Sequence, residues 1–123
     1  MGTNPSLFQA ARIAGVVATE NLMDVANIEG VRSALKHAQP EVVFHLAAQP
    51  LVLESYRDPI GTLATNVMGT AHLLEAVRTS ETVRAVVIIT TDKVYENREW
   101  VYPYREVDQL GGHDPYSASK ACS

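Results

Sequence analysis

"EVVFHLAAQ" (residues 41–49) and "RAVVIITTDK" (residues 84–93) decide the fold. Each holds a continuous apolar run of strand length that ends in polar groups, which predicts two strands covered on both faces. The second is also rich in β-branched residues, which suit a pleated, packed surface. Between them, "IGTLATNVMGTAHLLEAVR" (residues 60–78) carries helical spacing, with Leu63, Val67, Leu74 and Val77 near one stripe and a start near Asp58 and Pro59. Strand, helix and strand in this order predict a parallel α/β sheet with right-handed crossovers. Ligands of such sheets collect at the carboxyl ends of the strands. Those ends are where "HLAAQ" and "TTDK" stand.

Upstream, Ser6 is placed to cap a short helix over "LFQAARIA" with Leu7, Ala10, Ala11 and Ala14 on one face. "GVVATENLMDV" (residues 15–25) reads as extended. "IEGVRSALKHA" (residues 28–38) returns to helical spacing, with Ile28, Val31, Leu35 and Ala38 together and Pro40 ending the pattern. Downstream, residues 92–115 are polar, aromatic and turn-rich, and "DPYSASKACS" (residues 114–123) opens a last helix.

A length of 123 residues, 46% hydrophobic and 20% charged, suits one globular unit and leaves no room for two complete domains. The net charge of −4 and the scattered cations give no footprint for nucleic acid. No apolar run reaches the roughly 18 residues of a membrane-spanning helix, and the first twenty residues lack the pattern of a signal peptide. The cytoplasm is the expected compartment. The single cysteine, Cys122, has no internal partner for a disulfide and reads as a small, semi-buried residue near a terminus. The four histidines show no metal-ligand spacing, so no metal is expected, and His45 reads as a satisfied core residue.

Tyr116 and Lys120, four residues apart, fall on one face of a helix. A free phenol ionises near pH 10, so serving as a base near neutrality asks for about 4 kcal/mol of help, which a neighbouring ammonium and a cationic ring can supply. "TTDK" (residues 90–93) sets a hydroxyl, a carboxylate and an amine at the ligand edge of a strand, where Thr91 can share a substrate oxygen with Tyr116. A turn capped by Asp92 is the plainer alternative.

"TTDKVYENREW" (residues 90–100) together with "GGHDPYSASKAC" (residues 111–122) resembles the CDP-glucose 4,6-dehydratases, members of the extended short-chain dehydrogenase/reductase family. "MDVAN", "EVVFHLAAQPLV" and "TNVMGTAHLLEAVR" fall in that family's order, so the resemblance covers nearly the whole chain. It implies an α/β fold, a partial Rossmann-like parallel sheet with flanking helices, and NAD as cofactor. Residues 1–123 would form part of the NAD-binding domain. The family's glycine-rich first βαβ unit has no counterpart, since the seven glycines make no GxxGxxG, and neither has its C-terminal substrate domain.

The implied roles go residue by residue. Tyr116 would take the proton of the sugar's 4-hydroxyl, Lys120 would favour the phenolate and bind the nicotinamide ribose, and Thr91 would orient the hydroxyl. Asp92 would protonate the departing 6-hydroxyl, and Lys93 would be the C5 base or, alternatively, one half of a structural ion pair. Asp24 and Val25 would meet the adenine, with Leu46, Ala47, Ala48, Gln49 and Thr90 along the remainder of the cofactor. Gln49, Asn66, Tyr95 and Asn97 would line the substrate side, with a polar residue bonded to backbone inside a packed helix as the lesser alternative for Asn66. The implied substrate is CDP-D-glucose. A nucleotide-sugar epimerase is disfavoured by Asp92 and Lys93. A non-catalytic fragment that self-associates through an open sheet edge or bare apolar faces is the competing class.

Overall fold

A computed structural model describes residues 4–123. Strands β1 (Val42–His45) and β2 (Ala85–Ile88) pair in parallel, Val42 opposite Ala85 through to His45 opposite Ile88. The ladder continues for one bond beyond the strands, where the Ile89 amide donates to the His45 carbonyl at 3.0 Å. This is the expected parallel α/β arrangement.

Helix α2 (Ile28–Ala38) forms where its spacing predicts, capped by the Asn27 side chain on the Gly30 amide and closed by Gln39 in the left-handed region. After β1 comes α3 (Val52–Arg57), a six-residue helix that periodicity does not reveal because Leu51 supplies no side-chain cap. Asp58 then caps α4 (Pro59–Leu63), with Pro59 at its first turn, where the missing N–H costs nothing. The chain stays helical through a π-turn (Ala64–Met68) into α5 (Gly69–Arg78).

Helices α2 and α5 pack side by side on one face of the sheet. Val31, Leu73 and Ala76 are buried there, with Leu35, Val43, Val77 and Val86 packed against them. The opposite face is bare: Phe44 is 65% exposed, Leu46 68% and Ile89 47%. The expectation of strands covered on both faces is therefore corrected, because both covering helices lie on the same side.

The expected stripe on the long helix is also corrected. Val77 packs against the core as expected, but Leu63 and Leu74 are 39% and 43% exposed, whereas Thr62, Asn66 and Thr70 are buried together with Leu73 and Ala76. Small polar residues take the inner face because they have hydrogen-bonding partners there, described below. At the amino end, α1 (Leu7–Ala10) has the Ser6–Gln9 capping box but only four residues, and Leu7 is 82% exposed, so no apolar face is covered. The segment after it forms no strand, and Val16 is 80% exposed. Helix α6 (Pro115–Cys122) closes the described fold, capped by Asp114. Cys122 at its end is exposed rather than semi-buried, since the last turn carries it away from the packed face.

Candidate active site

The end of β2 meets α6 through Lys120, and the segment leaving β1 is linked to α6 through Asn66. Asp114 caps that helix by accepting from the Ser117 amide at 2.9 Å and the Ser117 hydroxyl at 2.6 Å. Burial alone would push its carboxyl upward, but those two bonds, with help from the Lys93 charge, hold it below the usual carboxylate range. Gly112 lies directly on the first turns of α6, close enough that a Cβ there would collide with the Ala118 amide and the Ser117 carbonyl carbon. This contact brings the loop carrying His113 and Asp114 against the helix of Tyr116 and Lys120.

Lys120 is 6% exposed and donates from Nζ to the Ile89 carbonyl at 2.7 Å, which ties the helix to the end of β2. Burial pushes its amine below the ordinary lysine value. Tyr116, one turn earlier on α6, is half-buried. Thr91 caps a 3-10 turn (Asp92–Val94), its hydroxyl donating to Asp92 Oδ1 at 3.0 Å, and that turn packs on α6. The segment is a capped turn, but its cap is Thr91 rather than the expected Asp92, because the Thr91 hydroxyl is the group that accepts from the Lys93 amide.

A cleft of about 330 Å³ opens beside the turn. Asp92, Lys93, Tyr95 and Asn97 all line it, so four residues singled out from the sequence converge. Lys93 is exposed on its rim. Tyr104, His113, Asp114 and Ser117 also line the cleft and were not singled out. The cap signal of Asp114 before Pro115 was readable; the place of Tyr104 depends on a fold-back of the loop that no local pattern encodes.

Behind the cleft runs a buried polar chain. Thr70 donates its hydroxyl to the Asn66 carbonyl at 2.7 Å, which leaves His45 Nε2 as the donor to Thr70 Oγ1 at 3.1 Å and fixes the imidazole tautomer. Burial, and then the Lys120 charge, push the His45 imidazole below its ordinary value, so it is a neutral, satisfied core residue as expected. Asn66, only 1% exposed, accepts from the Gln49 amide at 2.8 Å, donates to the Gln49 carbonyl at 3.1 Å and donates to Ser119 Oγ at 2.8 Å. Its amide is committed to backbone and helix, not to open space. A π-turn adds one residue to the helical repeat, and here it carries this clamp.

Gln49 is likewise turned inward, donating to Thr62 Oγ1 at 2.9 Å and accepting from the Leu51 amide at 2.6 Å. The stretch Leu46, Ala47, Ala48 therefore leaves β1 as a surface-facing segment anchored at Gln49, and Thr90 is exposed at the end of β2. Val25 packs on Gly69 beside the π-turn, and Asp24 accepts from the Ala26 amide at 2.9 Å in the turn that enters α2. Neither belongs to the cleft. Among the described residues no group of three or more His, Cys, Asp or Glu is placed to hold a metal ion.

Comparison with known proteins identifies relatives of this chain and of its fold. The model of the GDP-mannose 4,6 dehydratase family matches residues 6–123. CDP-glucose 4,6-dehydratase of Salmonella typhimurium is 50% identical over 98% of this chain and 33% of its own length. CDP-paratose 2-epimerase of Salmonella typhi is 31% identical over 81% of this chain and 34% of its own. The chain thus spans about a third of the curated relatives it matches. Among solved structures, Thermus thermophilus UDP-glucose 4-epimerase in complex with NAD aligns with a TM-score of 0.71 and 32% identity, covering 80% of this chain and 32% of that one. RMD from Pseudomonas aeruginosa complexed with NADPH aligns with a TM-score of 0.73 and 27% identity, over 92% of this chain and 41% of that one. The match of nearly the whole chain, on a Rossmann-type parallel sheet, makes this chain a member of the GDP-mannose 4,6-dehydratase family, within the extended short-chain dehydrogenases/reductases.

Proposed function

We propose that this chain is the catalytic-centre portion of an NAD-dependent nucleotide-sugar 4,6-dehydratase that converts CDP-D-glucose to CDP-4-keto-6-deoxy-D-glucose. The observation that carries the reading is the junction of three elements at one sheet edge: the Thr91 to Lys93 turn, the cleft beside it, and α6 with Lys120 anchored to the end of β2.

The described residues fit one end of NAD. Lys120, buried and aimed at the strand end, and the small Ala47 and Ala48 on the segment anchored by Asn66 suit the nicotinamide ribose, whereas the sequence holds no GxxGxxG to cradle the pyrophosphate. The chemistry that NAD contributes when bound is a reversible two-electron exchange with the sugar, which leaves the net oxidation state unchanged. Tyr116 accepts the 4-hydroxyl proton, helped by the Lys120 ammonium, and Thr91 orients that hydroxyl. Asp92 gives a proton to the departing 6-hydroxyl while Lys93 takes the proton from C5, so that one water leaves. Lys93 stands exposed on the rim, and its service as a base requires the bound sugar to shield it from solvent. Asp24 and Val25 are assigned to the adenine side, and Gln49 and Asn66 act on the substrate side through the backbone they hold. The cytoplasm is the assigned compartment; among the described residues no helix is long and apolar enough to cross a membrane.

Incubating the chain with NAD and CDP-glucose and following the sugar nucleotide by mass spectrometry tests the reading. Loss of one water, abolished in Tyr116→Phe, is the expected result. An unchanged sugar nucleotide with the parent chain would remove the claim that this portion is active.

The bare sheet face supports a second reading, self-association of a partial α/β layer. Phe44 and Leu46 are 65% and 68% exposed beside an unpaired strand edge, a combination that promotes pairing. Light scattering is expected to show oligomers that Phe44→Lys disperses; a monomer at every concentration would dismiss this reading.

A further inference from the structure

Residues 97–103 are exposed throughout, yet the loop they belong to is ordered about one side chain. Its stem is short: the Glu96 amide donates to the Gln109 carbonyl at 2.9 Å, and the Gly111 amide to the Val94 carbonyl at 2.8 Å, around a Tyr95–Leu110 bridge. Beyond the stem, Tyr104 folds back. Its ring stacks on Tyr95 with centroids 5.0 Å apart and planes within 5°, and Trp100 leans on it at 5.6 Å. Its hydroxyl accepts from the Arg98 amide at 2.8 Å and donates to Asn97 Oδ1 at 3.3 Å. Asn97 Oδ1 also accepts from the Glu99 amide at 3.0 Å, which helps to hold Glu99 at a φ of 50°, a left-handed conformation that non-glycine residues seldom adopt.

We propose that Tyr104 is a positioning residue: its hydroxyl holds Asn97, and its ring backs the Tyr95 ring, as the sugar-facing wall of the cleft. The role rests on the nucleotide-sugar reading above and adds a source of substrate discrimination to it. An aromatic face meets the C–H face of a pyranose, and the Asn97 amide offers donors and the Asp92 carboxylate an acceptor to its hydroxyls, so the wall suits the hexose rather than the nucleotide. Tyr104→Phe keeps the stacked ring and removes only the two hydroxyl bonds.

Trp100 is the chain's single tryptophan and touches Tyr104, so its fluorescence reports on this wall. The test titrates the full 123-residue chain, parent and Tyr104→Phe, with CDP-glucose and separately with CDP. The expected result is a loss of up to about tenfold in affinity for CDP-glucose, the scale of one neutral hydrogen bond, with affinity for CDP unchanged. A general loosening of the fold would weaken both ligands alike. Equal effects on the two ligands, or none, overturn the positioning role and leave the nucleotide-sugar reading standing. If the parent chain binds neither ligand, both fall. In an Asn97→Ala background the Tyr104→Phe change is expected to add little further loss for CDP-glucose, because the hydroxyl then has no sugar-facing side chain to hold and keeps only the Arg98 amide; full additivity would also overturn the role.

Discussion

Asn66 Nδ2 donates to Ser119 Oγ at 2.8 Å, joining residues 53 positions apart, and Ser119 Oγ in turn donates to the Tyr116 carbonyl at 2.7 Å. A side chain in the π-turn is thus two hydrogen bonds from the backbone of the tyrosine assigned as base. With its other bonds, to the Gln49 backbone, Asn66 fixes the segment leaving β1 and helix α6 against each other. Both halves of the site are held by one buried amide.

Replacing Asn66 by Leu keeps the volume and removes every one of these bonds. The Gln49 amide and carbonyl lose their partner in a part-buried site, at roughly 1–3 kcal/mol for each group left unsatisfied, and the Ser119 hydroxyl keeps only its bond to the Tyr116 carbonyl. Denaturant unfolding followed by circular dichroism is expected to show a loss of about 3 kcal/mol or more. A loss below about 0.5 kcal/mol would mean that the clamp contributes nothing to the fold.

The buried His45 makes stability depend on pH. Its folded value lies below the ordinary 6.5, so the neutral form is favoured in the folded chain. Its contribution is complete above the unfolded value and is lost as pH falls through the folded one. The unfolding midpoint is expected to drop between pH 7 and pH 5 more steeply in the parent than in His45→Gln, which keeps a donor for Thr70 and does not titrate. Parallel slopes in the two proteins would rule this out.

Much of the fold is legible in the sequence, and the part that is not has a physical reason. The two strands and helix α2 follow from apolar runs and helical spacing, which are local signals. The turn at Asp92 and the cap at Asp114 follow from residue chemistry. The inner face of the long helix does not, because Thr62, Asn66 and Thr70 are buried through bonds to Gln49, Ser119 and His45, far away in sequence. Apolar character alone would turn Leu63 and Leu74 inward. The same holds for Tyr104, whose partners Tyr95 and Asn97 lie across a fold-back.

Gly112 is a steric hinge pin between the cleft and α6. A Cβ there meets the Ala118 amide and the Ser117 carbonyl carbon, both backbone of a helix whose cap is already engaged. Gly112→Ala forces the loop and helix apart, with an expected cost of about 1–3 kcal/mol. Amide hydrogen exchange is expected to show faster opening of α6 and little change in α2. Unchanged protection in α6 would mean that the loop yields instead.

Lys120 allows the costs of function and of folding to be separated. Its amine is depressed by burial, so its contribution to stability is complete only above the unfolded value near 10.5 and is lost as pH falls through the folded one. At neutral pH the ammonium is therefore buried at a cost that the single bond to the Ile89 carbonyl only partly offsets. Lys120→Met removes the buried charge and fills its space, leaving one carbonyl unpaired. Exchanging buried ionic groups for apolar side chains of similar size is often neutral or stabilising, so the variant is expected to unfold no earlier than the parent at pH 7 and to show no dehydration of CDP-glucose. Retained turnover would deny Lys120 the catalytic role proposed for it. A loss of more than about 3 kcal/mol would show instead that the strand-end bond, and not the site's chemistry, is why an ammonium is buried there.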